Sequence, residues 1–183
     1  VTQSVSTQEV VFAPDQRYRV EERLRRLNAL GFDVEEVEVV AEGPRYRLRL
    51  HPRVVDPGHH VRTLQALTGL EVQENQARRL LSDLAHFRAE LERAADETLS
   101  ETVAAHRWLS EVFEPTVTAV PPQLRGRLEP AELFHQVLDH RWYLSEAAGH
   151  DVGLPEAVAS FVTTVLPEET SRGPEEGVVH HGR

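Results

Sequence analysis

The stretch "VEEVEVVAEGPRYRLRLH", residues 34–51, constrains the fold more than any other part of the chain. From Val37 apolar and acidic residues alternate, and from Arg45 arginine alternates with Tyr46, Leu48 and Leu50. A tight turn at Gly43-Pro44 would set Glu42 opposite Arg45, Val40 opposite Arg47 and Glu38 opposite Arg49. The other face would then pair Ala41, Val39 and Val37 with Tyr46, Leu48 and Leu50. One face is apolar and the other carries opposite charges, the pattern of a half-buried hairpin. Arg45, Arg47 and Arg49 form a row that could bind a phosphate-bearing small molecule, but the glutamates opposite favour a self-neutralised solvent face. A lone hairpin is marginally stable in water, so its apolar face must be covered. The preceding segment offers a cover, because Val20, Leu24, Leu27 and Leu30 recur at helical spacing. Asp15 is placed to cap that helix and Gly31 to end it.

Beyond the hairpin the period changes from two to 3.6. "HPRVVDPGHH" reads as a loop, and a short helix follows to Gly69. A long helix then runs to about residue 95, with Ala77, Leu80, Leu81, Leu84, Phe87 and Leu91 as its stripe. Ser100 opens a helix carrying Val103, Trp108, Val112, Phe113 and Val117, ended by Pro121-Pro122. Pro130 starts another, with Leu133, Phe134, Val137, Leu138, Leu144 and Ala148, stopping at Gly149. A last helix begins near Pro155. The expected fold is α+β, predominantly α. A helix and hairpin (15–55) precede a bundle of about four to five helices (56–166), together one domain over 15–166. Residues 1–14 read as a lead-in, and 167–183, rich in Glu, Gly and Pro, as a disordered tail.

Composition excludes several chemistries. The chain has no cysteine, so thiolate nucleophiles, disulfides and Cys-type zinc sites are out. All 20 of its basic residues are arginine, which removes Schiff-base chemistry and the lysine of phosphate loops. No apolar run approaches the roughly 20 residues that span a bilayer, and no signal peptide opens the sequence. The expected location is the cytoplasm. A net charge of −10 opposes binding to nucleic acid.

Local motifs are weak. Glu132/His135 and Asp83/His86 have the one-turn spacing of carboxylate–histidine metal ligands, yet no further ligands can be placed, so no metal and no cofactor is expected. "LQALTGLEVQENQARRLLSDL" has the helix–turn–helix outline with Arg78-Arg79 on its second helix. Gln65 and Asn75 stand where that motif wants small and apolar residues, and a plain helical hairpin is the better reading. The lipase-type serine motif, zinc-protease histidine motif and glycine-rich phosphate loop are all missing, and no catalytic residue is named.

Two tryptophans occur, each in His-Arg-Trp followed by Leu-Ser-Glu: "HRWLSE" at 106 and "HRWYLSE" at 140. Consecutive helical residues lie about 100° apart, so His, Arg and Trp cannot converge on one point. Two copies are also too few for a solenoid. Trp108 and Trp142 are therefore expected as packing anchors on two helices. Arg107 and Arg141 remain candidate binding residues, with Arg107 also placed to pair with Glu111 one turn on.

Several stretches carry a family resemblance: "RYRVEERLRRLNALGFDVEEVEVV" (17–40), "RLHPRVVDPGHH" (49–60), "LTGLEVQENQARRLLSDL" (67–84), "AAHRWLSEVFEP" (104–115) and "ELFHQVLDHRWYLSEAAGHDVG" (132–153). They resemble a C-terminal domain of unknown function in actinobacterial proteins whose N-terminal part is similar to lipopolysaccharide (Kdo-type) kinases. The resemblance implies that residues 1–14 lead in from a kinase-like domain upstream of Val1, which would hold any phosphotransfer machinery. It implies a non-catalytic accessory module, with the kinase-like domain as partner in cis and room for a further protein partner. It assigns no site residues. A small-molecule or phosphate-binding domain using the arginines is the alternative, and a helix-turn-helix nucleic-acid binder the second alternative.

Overall fold

The computed structural model describes residues 8–29, 34–52, 56–126 and 128–166. Its strands are β1 (Gln8–Phe12), β2 (Val34–Glu42) and β3 (Arg45–Pro52), in the antiparallel order β1-β3-β2. The helices are α1 (Arg17–Ala29), α2 (His59–Thr68), α3 (Glu74–Ala95), α4 (Glu101–Trp108), α5 (Glu114–Ala119), α6 (Pro122–Arg125), α7 (Pro130–Ala148) and α8 (Leu154–Thr164). The fold is α+β and mostly α.

The hairpin has the register its alternation demands, with Val39 opposite Leu48, Ala41 opposite Tyr46 and Glu38 opposite Arg49. Gly43 makes the turn with φ +58°, a left-handed value that a side chain would strain. Leu48 and Leu50 are fully buried, and Val20 of α1 packs with them, Val39 and Tyr46. Leu24 and Leu27 pack on the same cluster, while Leu30 and Gly31 lie outside the described residues.

Part of the expected lead-in belongs to the sheet. β1 pairs along β3 from Gln8 opposite Leu50 to Phe12 opposite Tyr46, and Phe12 enters the sheet core. Residues 1–7 and 167–183 lie outside the described residues. Asp15 does not cap α1, because it sits in a 3₁₀ turn, Pro14–Gln16. Asp151, from the loop between α7 and α8, caps it instead. Its carboxylate accepts from Arg17 N at 2.8 Å and Tyr18 N at 3.0 Å. The same loop's Asp151 N donates to Asp15 O at 2.8 Å.

The five expected bundle helices all form, with two additions. α6 is a single short turn. The helix opened by Ser100, whose Oγ accepts from Val103 N, is interrupted by a π-helical turn at Leu109–Phe113. Pro115 explains the interruption. It has no N–H to offer Glu111 and its ring would press on that carbonyl in a continuous α-helix. The π turn sets Trp108 and Phe113, five residues apart, on one side, with ring centroids 5.6 Å apart and both against Phe134.

α3 is the central element. Ala77, Leu80 and Leu84 join the bundle core with Leu64, Trp108 and Phe134. Ala85 and Ala89 join the sheet core. A third cluster, with Val120, Leu133, Val137 and Phe161, closes the bundle's far side.

Candidate functional site

The interior carries an ionic anchor before it carries any site. Arg17 and Asp83 are both buried and form an ion pair between α1 and α3. Trp108 Nε1 donates to the other oxygen of Asp83 at 2.8 Å. Burial alone would raise the Asp83 carboxyl, but Arg17 and the Trp108 bond outweigh it and hold the group below its ordinary value. Arg17 is likewise held charged, because Asp83 and Glu21 outweigh its desolvation. Trp108, expected as an anchor, is fully buried.

Above α3 opens a groove of about 440 Å³ between the sheet side and the bundle. Leu24 of α1, Val39 of β2, and Leu81, Leu84 and Ala85 of α3 supply its apolar surface. Its charged wall holds a four-residue ion-pair network and a separate pair. Arg25 Nη2 meets Asp139 at 2.6 Å, and Arg79 Nη2 meets Glu21 at 2.9 Å and Asp139 at 3.4 Å. Arg79 also donates to Leu138 O at 3.0 Å. Arg88 pairs with Glu92, which accepts from Leu99 N as well. Beyond the lining residues, the Arg25 guanidinium lies 4.1 Å above the Trp142 ring, and Tyr143 beside it is 59% exposed. Trp142 is only partly buried and donates to Tyr18 O at 3.2 Å.

The arginines named from sequence do not converge. On the sheet's charged face, Arg47 pairs with Glu42 at 2.8 Å and Glu9 at 3.2 Å. Arg49 pairs with Glu9 at 2.9 Å and Glu38 at 3.7 Å, while Arg45 sits exposed beside the turn. Arg107 pairs with Glu111 on the surface at 2.6 Å, as the spacing predicts. Arg141 turns inward, its Nε donating to Val152 O at 2.8 Å. Desolvation, then repulsion from Arg17, lowers the Arg141 guanidinium from its ordinary value.

The carboxylate–histidine pairs also separate. Asp83 is held by Arg17 and Trp108, and His86 Nδ1 donates to Ser82 O at 2.8 Å. Glu132 accepts from Gln76 and Gln136, and His135 lines the groove. Among the described residues no three His, Asp or Glu side chains are grouped to hold a metal ion. The helix-turn-helix outline falls on α2 and α3. α2 ends at Gly69 as drawn, but α3 is the core of the molecule, with buried side chains on opposite faces. A recognition helix must present its face to a groove of DNA.

The sequence reading missed the groove, including Glu21, Arg25 and Asp139. The only signal was Glu21 and Arg25 spaced one turn apart on α1, a common surface pattern.

No helix among the described residues is long and apolar enough to cross a membrane. No curated protein and no solved structure matches the chain. The profile of one family, a domain of unknown function called DUF4032, matches residues 4–166, which include the edge strand β1. The chain belongs to that family.

Proposed function

We propose that this domain is a non-catalytic interaction module of a lipopolysaccharide-kinase-like protein. In this reading the groove over α3 receives apolar side chains of a partner segment, with the kinase-like half of the same protein as first partner. One observation carries the reading: Arg25, Arg79 and Arg88, with the carboxylates that face them, are already paired with one another around an apolar surface. Such walls offer little to a charged substrate, whereas burial of aliphatic or aromatic anchors gains about 25 cal/mol per Å². Arg25 lines the groove and stacks on Trp142, and Arg, Trp and Tyr are residue types enriched at interface hot spots. The link to a kinase-like partner rests on the sequence resemblance alone.

The test is co-expression of the domain with the kinase-like half and measurement of their association. Ala85→Gln, which projects a larger side chain where the groove meets the sheet core, is expected to weaken association at least tenfold in a protein whose cooperative melting shows that it still folds. Arg47→Ala with Arg49→Ala on the sheet face is expected to bind like wild type. Equal affinity for wild type and Ala85→Gln would refute the groove as the docking surface. Absence of any association would refute the module reading. A melting-temperature rise with inorganic phosphate, abolished by the double arginine variant, would favour the phosphate-binding alternative.

A further inference from the structure

A second, much smaller cavity lies under the sheet, walled by Phe12 of β1, Tyr46 of β3, Arg17 of α1 and His86 of α3. Its volume is about 10 Å³, the room one water molecule requires. Arg17, Tyr46 and His86 are 7%, 4% and 4% exposed. Each carries one buried polar atom with no hydrogen-bond partner among the described residues: Arg17 Nε, Tyr46 Oη and His86 Nε2. The nearest carboxylate recorded for Arg17 Nε is Glu21 at 3.9 Å, outside hydrogen-bond reach.

Their chemistry selects the occupant. His86 Nδ1 faces a carbonyl and must carry the ring proton, so Nε2 offers a lone pair. Arg17 Nε–H can only donate, and the Tyr46 hydroxyl can do either. A cation would meet the guanidinium, and an anion would meet the imidazole lone pair. An organic ligand exceeds the space. We propose that the cavity binds one ordered water, which accepts from Arg17 Nε, donates to His86 Nε2 and takes the Tyr46 hydroxyl as third partner. This water would join β3, α1 and α3 at one point. Glu90, which also lines the cavity, is exposed and stands on its solvent side.

A crystal structure at a resolution that shows ordered solvent tests the proposal. A single density peak within hydrogen-bond distance of all three atoms is expected. An empty cavity, or a direct bond from Tyr46 Oη to His86 Nε2, would overturn it. Nitrogen-15 NMR of the whole chain gives a second readout: His86 should show Nδ1 protonated and Nε2 bare, with ring-proton cross-peaks to a long-lived water. Protonation on Nε2, or no such cross-peak, counts against it. Tyr46→Phe should keep the water but shorten its residence, and an unchanged residence would remove Tyr46 from the site.

Discussion

At the scale of single residues, the two His-Arg-Trp copies have come apart. Trp108 is fully enclosed and holds an oxygen of Asp83, whereas Trp142 is partly buried under Arg25. Trp108→Ala is expected to cost about 3–5 kcal/mol, because it leaves a cavity and strips Asp83 of a donor. Trp142→Ala should cost roughly 1–2 kcal/mol, from the lost cation–π contact and one hydrogen bond. Urea denaturation of both variants checks the ranking, and equal losses would contradict it. Asp83→Ala should be as severe as the first, about 3–5 kcal/mol, since buried Arg17 would lose the carboxylate it bonds and keep only Glu21 at 3.9 Å. The sequence pointed to both tryptophans as anchors because His, Arg and Trp on a helix fan apart and cannot form one cluster. It could not rank them. Burial depends on Phe113, Phe134 and Asp83, which reach Trp108 from three different segments.

Among the elements, legibility follows the distance over which the determining contacts act. The hairpin register was readable to the residue, since alternation and a two-residue turn are both local. So were the ends of α2 and α7 at Gly69 and Gly149, which both adopt positive φ. β1 was not: "QEVVF" is short, and its partner strand begins more than 30 residues later. The cap of α1 was less visible still, because Asp151 lies 134 positions from Arg17. That long-range cap is testable. Asp151→Ala should cost about 1–2 kcal/mol and speed hydrogen exchange at the Arg17 and Tyr18 amides. Unchanged protection of both amides would show that the loop does not hold the helix start.

For the molecule as a whole, the sheet core and the bundle core share α3, so their stabilities should be coupled through it. His86 sits between them. Burial first, then the Arg17 charge, pushes its imidazole from 6.5 down to about 3. Above the ordinary histidine range both folded and unfolded states leave this ring neutral. As pH falls below 6.5 the unfolded ring takes a proton that the folded one refuses. Stability from this group therefore drops on acidification, by up to about 1.4 kcal/mol per pH unit, until pH nears 3. Desolvation lowers His140 too, which acts in the same direction. Denaturation midpoints followed from pH 7 to 4.5 should fall for wild type and fall less for His86→Phe. Parallel curves would exclude the histidine as the source. The groove belongs to this scale as well: it is bounded by residues from α1, β2, α2, α3, α4 and α7, and no segment contains enough of it to be read alone.

The π turn at Leu109–Phe113 has an evolutionary consequence. A turn closed by five residues is an α-helical turn with one residue inserted. The bulge therefore absorbs the extra residue, and the helix keeps its phase on either side of it. Removing one residue between Trp108 and Phe113 would leave the two rings four positions apart, still on one face and still against Phe134. The turn would then close as a plain α-helix, which the ring of Pro115 opposes. A relative one residue shorter between Trp108 and Phe113 should keep both aromatic residues and lack that proline.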